Sequence, residues 1–202
     1  MISIAEPRGY AHRRSEDLRA FSIMCKMPTM AHTVTSSLEH AGFRFDTTAT
    51  TLIMFDIPRG FALHMLESSR EASRRLVVVT ESPCAEYWED LWDLRPQVLL
   101  VGRYPALDLA SAVARAAQGD RYRCPPNVST PLTPTERRML RLLACGQSNQ
   151  QIAEHLTMQI QTIKNTLVTI YQTLGFKNRS EALLYYWGIW QALEGAPQGM
   201  IE

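Results

Sequence analysis

Helix-start and helix-stop signals follow one another at short, fixed intervals between residues 132 and 182, and no other stretch of the chain restricts its folding as tightly. Thr133-Pro134-Thr135-Glu136 opens a helix: Thr133 caps the first amides, Pro134 needs no donor there, and Glu136 reaches back as capping-box partner. Gly146 ends it. Ser148-Asn149-Gln150-Gln151 repeats the opening, and Ile152, Ala153 and Leu156 give the second helix a narrow apolar face. Residues 157–159 form a turn. Then Ile160, Ile163, Leu167, Ile170, Tyr171 and Leu174 recur at helical spacing as one buried stripe, and Gly175 supplies the stop. A fourth helix starts near Asn178, with Glu181 as cap partner, and is expected to run through Leu183, Tyr186, Trp187, Ile189 and Trp190.

At ~100° per residue, Gln161, Lys164, Asn165, Val168, Thr169 and Gln172 share the face of the third helix opposite that stripe. A helix lying in the major groove of a duplex has to present such a face. Lys164 can donate to guanine or phosphate, Asn165 can make a two-point contact with adenine, and Val168 fits a thymine methyl. Lys164, Asn165 and Val168 are therefore expected to read bases. Gln161, Thr162, Thr169, Gln172 and Lys177 are expected to hold the backbone, and Arg179 to do either or to pack structurally.

Over residues 132–184 the sequence resembles the LuxR/NarL (GerE-type) helix-turn-helix of bacterial transcription regulators. LTPTE, SNQQIAEHL, TIKN and LGFKNRSEA carry the resemblance. Two positions depart from it: the family usually has Ser where Gln159 stands and His where Thr166 stands. The resemblance implies that the fourth helix pairs two modules about a two-fold axis, so that Leu183, Tyr186, Trp187 and Trp190 form a dimer surface. Packing of these aromatics within their own module is the alternative. Lys164, Lys177, Arg137, Arg138, Arg141 and Arg179 are the module's basic residues, few enough that one copy alone would neutralise few phosphates and bind weakly.

A chain of 202 residues, 46% hydrophobic with a formal net charge of +1, suits two small domains. No stretch is apolar and long enough to span a bilayer, and the first residues lack a signal-peptide core, so a cytoplasmic location is expected. Cys25, Cys84, Cys124 and Cys145 show no CxxC spacing, and neither a metal site nor a cofactor is expected. The prolyl stretch after Cys124 reads as a linker. The expected organisation is an arm at 1–20, an α/β domain at 21–124, a linker at 125–131, the helix-turn-helix domain at 132–194 and a tail at 195–202.

Within 21–124, short apolar runs alternate with helical patterns, which predicts a mostly parallel five-stranded sheet with helices on both faces. Strands are expected near 21–24, 43–46, 51–55, 76–80 and 98–101. Thr29 is expected to cap a helix ending at His40, Ser82-Pro83 to open one through Leu94, and Tyr104-Pro105 one to Gln118 before Gly119. Only about five residues separate the second and third strands, too few for a helical crossover between parallel neighbours. A missing or collapsed helix accounts for this, and antiparallel pairing is the alternative.

The second half of this region, RRLVVVTESPCAEYWEDLWDLRPQVLLVGRYPALDLASAVARAAQGDRYRCPP, resembles a response-regulator receiver domain, and LIMFDIPRG resembles the first half more weakly. In such domains a strand-end Asp accepts a phosphoryl group beside a magnesium ion held by an acidic pair. By resemblance Asp56 stands at the acceptor position and Thr80 at the hydroxyl position. Cys25 and Lys26 stand where the acidic pair belongs, and Val101 where a lysine belongs. Losing the pair removes most magnesium ligands, so control by aspartyl phosphorylation is not expected. By resemblance Trp88 and Trp92, one turn apart, lie on a surface that receivers use to pair, which predicts a second dimer surface; covering the sheet is the alternative.

The sequence thus predicts a dimeric, non-enzymatic regulator that binds duplex DNA, with RNA polymerase as a further partner. A phosphorylation-switched regulator and an interaction adaptor remain the alternatives.

Overall fold

The computed structural model describes residues 18–68 and 74–189. Residues 1–17 of the predicted arm, the tail and Trp190 lie outside the described residues, and Ala20, the last residue of that arm, already belongs to β1. Contacts divide the chain into two compact units. The first holds the described residues up to Glu81 together with Arg95–Pro126; the second holds Ser82–Leu94 with the chain from Asn127 onward. The segment Ser82–Leu94, predicted as part of the N-terminal domain, thus makes its denser contacts with the C-terminal helices.

In the first unit the elements are β1 (Ala20–Met24), α1 (Pro28–His40), β2 (Arg44–Phe45), β3 (Thr51–Phe55), α2 (Phe61–Ser68), β4 (Arg75–Thr80), β5 (Val98–Val101), α4 (Ala106–Gln118) and β6 (Tyr122–Cys124). All strand pairs are parallel, in the order β2-β1-β3-β4-β5-β6. The sheet has six strands, one more than expected. β6 escaped prediction because three residues carry no periodicity; its partner β5 lies across the whole of α4.

The short connection between β2 and β3 has a simple resolution. No helix lies between them, and the two are not neighbours, since each pairs with β1 from opposite sides. Residues 46–50 cover the lateral step of about 10 Å within their reach. The Asp46 carboxylate tightens this connection by accepting from the Thr48 amide at 2.9 Å, the Thr48 hydroxyl at 2.6 Å and Arg44 at 2.8 Å. Hydrogen bonds from Thr48 foremost hold its pKa down at about 2.

Alternation along the strands sorts the sheet faces. Phe21, Ile53, Phe55, Val77, Val79, Val98 and Leu100 form one core with Leu38 of α1 and Leu109, Val113 and Ala116 of α4. Leu52, Met54, Val78 and Leu99 are buried on the other side. The α1 cap differs from expectation: Pro28 takes the first helical position, Met27 is the N-cap without a side-chain bond, and Thr29 lies inside the helix. Gly119 closes α4 with φ +91°, as its sequence signal predicts.

The second unit holds α3 (Ala85–Asp93), α5 (Pro134–Ala144), α6 (Asn149–Leu156), α7 (Ile160–Leu174) and α8 (Arg179–Tyr186). Cys84 is the N-cap of α3, two residues beyond the predicted cap Ser82. Both capping boxes form: Thr133 accepts from the Glu136 amide while Glu136 accepts from the Thr133 amide, and Ser148 and Gln151 repeat this. Each box is worth about 1 kcal/mol and fixes where its helix begins. Met139, Leu140, Leu143, Ile152, Ile163, Leu167, Ile170 and Ala182 are buried.

Candidate nucleic-acid interface

The turn between α6 and α7 is built on Thr157, whose φ of +55° ends α6 in the left-handed conformation. Gln159 is the N-cap of α7 and makes no side-chain cap. Serine is usual at that position by resemblance; glutamine leaves the first amides of α7 without that partner.

Ile163, Leu167 and Ile170 point inward, and Tyr171 and Leu174 are half-buried. Ile160, expected in the same stripe, is 39% exposed. The opposite face is open along its length: Gln161, Thr162, Lys164, Asn165, Thr169 and Gln172 are exposed, and Val168 is 52% exposed. Gln161 Nε2 donates to Asn165 Oδ1 at 2.9 Å, one turn apart, and the Thr169 hydroxyl donates to the Asn165 carbonyl at 3.3 Å. The Gln161 bond orients the Asn165 amide through its oxygen and leaves the amide nitrogen to donate to an outside acceptor.

Lys177 is exposed beside the C-terminal end of α7. Arg179 is not available in the same way. Its Nη2 donates to the Leu143 carbonyl at 3.1 Å and to the Gln147 carbonyl at 2.6 Å, closing the C-terminal end of α5. Of the three roles expected of it, these two bonds belong to the structural one. Arg179→Ala leaves these carbonyls without their charged donor and is expected to lower unfolding stability by about 1–3 kcal/mol in urea titration. Arg137 is also withdrawn: it is 7% exposed and paired with Asp93 of α3 at 2.8 Å. Lys164, Lys177 and Arg138 are the module's exposed cations among the described residues, fewer than composition suggested.

α8 begins as predicted, with Asn178 accepting from the Glu181 amide at 3.0 Å. It stops earlier. Trp187 is the C-cap and Gly188 adopts φ +67°, so the predicted continuation through Ile189 does not form. The stop signal was Gly188 itself. Tyr186, assigned to a dimer surface, is fully buried, with its hydroxyl on Asp90 Oδ2 at 2.5 Å and its ring edge-on to Tyr87 at 5.5 Å. Trp187 packs at 5.1 Å from Tyr186, and its indole donates to the Ala144 carbonyl at 3.0 Å. Leu183, Trp88 and Trp92 are half-buried.

The partners of α8 are acidic residues of α3 that sequence reasoning passed over. Glu86 is 1% exposed and accepts from the Tyr185 hydroxyl at 2.6 Å and the Thr130 hydroxyl at 2.8 Å. Asp90 is 3% exposed, and burial pushes its pKa up to about 7 against the opposing pull of the Tyr186 hydrogen bond and of Arg141 and Arg137. The readable signal was the spacing of Glu86, Asp90 and Asp93, which lines three carboxylates along one helix face.

In the first unit, Asp56 and Thr80 are brought together. Asp56 is 1% exposed; its Oδ1 accepts from the Ala62 amide at 2.9 Å and its Oδ2 from the Thr80 hydroxyl at 2.8 Å. Beyond β1, the Cys25 thiol donates to the Met27 carbonyl, and Lys26 stands 5.3 Å from the Phe61 ring. The donor set a magnesium ion needs does not fit here: a thiol and an ammonium replace two carboxylates.

Residues 130–186 match the family model "Bacterial regulatory proteins, luxR family". The chain is 25% identical over 134 residues to the transcriptional regulatory protein DesR of Bacillus subtilis, covering 63% of this chain and 67% of DesR. It is 35% identical over 81 residues to the transcriptional regulatory protein YvfU of the same organism, covering 37% of this chain and only 40% of that one. A solved structure of RcsB from Salmonella enterica serovar Typhimurium, bound to promoter rprA in the presence of phosphomimetic BeF3-, shares the fold over 83% of this chain and 98% of its own, with a TM-score of 0.55 at 20% identity.

Proposed function

From the premise that residues 130–186 are a helix-turn-helix domain of the luxR family, we propose that the chain is a cytoplasmic regulator of transcription that binds selected duplex DNA as a dimer. The observation that carries this is the open outer face of α7, polar along its length apart from Val168 and borne on a core of two capped helices. Lys164, Asn165 and Val168 read base edges, while Gln161, Thr162, Thr169, Gln172 and Lys177 hold the phosphates and sugars. No catalytic role is proposed for any residue. RNA polymerase is a further partner on this proposal.

Pairing remedies the scarcity of exposed cations, since two copies double the phosphates neutralised. Trp88, Trp92 and Leu183 are the proposed pairing residues. Replacing Trp88 and Trp92 together by Ala is expected to shift sedimentation toward monomer with helix content retained; an unchanged dimer removes them from the interface.

Control by aspartyl phosphorylation is not proposed. Asp56 is buried with both oxygens engaged, and Cys25 and Lys26 follow β1 where the resemblance calls for two carboxylates. With beryllofluoride and magnesium, we expect no adduct on Asp56 and no tightening of DNA binding; a stoichiometric adduct with tighter binding would restore the phosphate switch. For the function as a whole, the test is a mobility shift on duplexes selected from a random pool. Saturable, salt-sensitive binding supports the regulator, and none at low salt supports an adaptor.

A further inference from the structure

At the carboxyl ends of β3 and β4 the first unit opens a cleft of about 480 Å³. Its walls are Met30 and Val34 of α1, Phe55 and Ile57 at the end of β3, Val79 of β4 and Leu109 of α4. Ligands of open, doubly wound α/β sheets bind in this crevice, outside the carboxyl ends of the strands. The volume lies within the range of small-molecule sites, about 300–1,000 Å³. The cleft is separate from Asp56: Phe55 and Val79 face the α1 and α4 layer, and the alternation of the strand turns Asp56 to the other side.

The rim carries one charge of each sign. Arg103 Nε stands 3.4 Å from Glu81 Oε1, with the two side chains 90% and 45% exposed. So exposed and long a pair contributes little, and exchanging it for other partners costs little. Beside it Gly102, at φ +112°, leaves empty space where a side chain would stand. An apolar pocket closed by an adjacent cation and anion is complementary to a zwitterion with an apolar body. A plain carboxylate would meet Glu81, and a plain amine would meet Arg103.

We propose that this cleft binds an apolar α-amino acid. Its carboxylate takes Arg103, its ammonium takes Glu81, and its side chain fills the space between Val34, Phe55 and Leu109. Glu81 is the last residue before Ser82, where the chain passes into the segment that bears α3.

The test is titration calorimetry on the full chain and does not depend on DNA binding. Leucine, phenylalanine and tryptophan are the probes, with 3-phenylpropionate and 2-phenylethylamine as the acid-only and amine-only counterparts. At least one amino acid is expected to bind saturably at one site, and the two half-probes about 10-fold or more weaker than phenylalanine. Arg103→Gln and Glu81→Gln, both at exposed positions that spare the fold, are each expected to weaken the amino acid about 10-fold. Val34→Phe, which narrows the cleft, should weaken it as well. Absence of saturable binding by all three amino acids, equal binding of the half-probes, or unaltered binding by the rim variants overturns the proposal.

Discussion

Lys164→Glu is expected to reduce binding to a selected duplex by at least about 100-fold in a mobility shift, while the melting temperature of the protein stays unchanged. Lys164 sits in the first turns of α7, exposed, on the face that carries Gln161, Asn165 and Val168. Its substitution removes a donor worth about 1–3 kcal/mol to a base edge or phosphate and adds repulsion from the duplex. The effect is large because so few cations are available: Arg137 is spent on Asp93 and Arg179 on the Leu143 and Gln147 carbonyls. Lys164→Ala separates the two kinds of interaction. If the lysine holds a phosphate, its removal lowers affinity on every duplex and flattens the salt slope by about one; if it reads a base, sequence preference relaxes as well.

Asp90→Asn is expected to stabilise the second unit above pH 7 by up to about 4 kcal/mol and to make no difference near pH 4. Burial pushes the Asp90 carboxyl from an ordinary 3.8 to about 7 in the folded chain. Between those values the folded state holds a proton that the unfolded state has released. Stability from this group is therefore complete below about pH 4 and is lost as pH rises through 7, at about 1.4 kcal/mol per unit of difference. Asparagine stays neutral throughout and still accepts from the Tyr186 hydroxyl. Urea titration of both proteins between pH 4 and 8 checks this, with the gap opening as pH rises. A gap that is constant with pH would mean that Asp90 is ionised in the fold throughout. Tyr186→Phe removes the donor that favours the carboxylate, which should steepen the loss of stability above neutrality.

Much of the helical module was legible because its punctuation is local. Thr133 with Glu136, Ser148 with Gln151, and Asn178 with Glu181 each act within one turn, and each forms as predicted. Five strands of the sheet were legible from short apolar runs, and the gap between β2 and β3 announced a missing helix. What failed was non-local or a competition between neighbouring signals. Pro28 outcompeted Thr29 as the start of α1, and Gly188 ended α8 inside an apolar run that otherwise promised a longer helix. β6 exists only because β5 is beside it. Tyr186 was read as a surface residue because nothing near it in sequence shows Tyr87 and Asp90, which lie about a hundred positions earlier and cover it.

The candidate site divides in the same way. The outer face of α7 follows from helical periodicity alone, and the exposed positions agree with it. Arg179 and Arg137 were counted as cations for DNA because composition records charge and not commitment; their partners become visible only when α5 meets α8 and α3. Asp56 and Thr80 were paired by resemblance, and the hydrogen bond between them is the strand-end arrangement that β3 and β4 produce as parallel neighbours.

The central claim is that the outer face of α7 meets base-pair edges, and a photo-crosslinking amino acid at position 168 of the full chain tests it most directly. On a duplex selected by the protein, light is expected to join position 168 to bases within the recognised half-site, at a fixed place in each half. Crosslinks absent from position 168, yet formed with equal duplex occupancy from a probe placed on another face of the module, would contradict it.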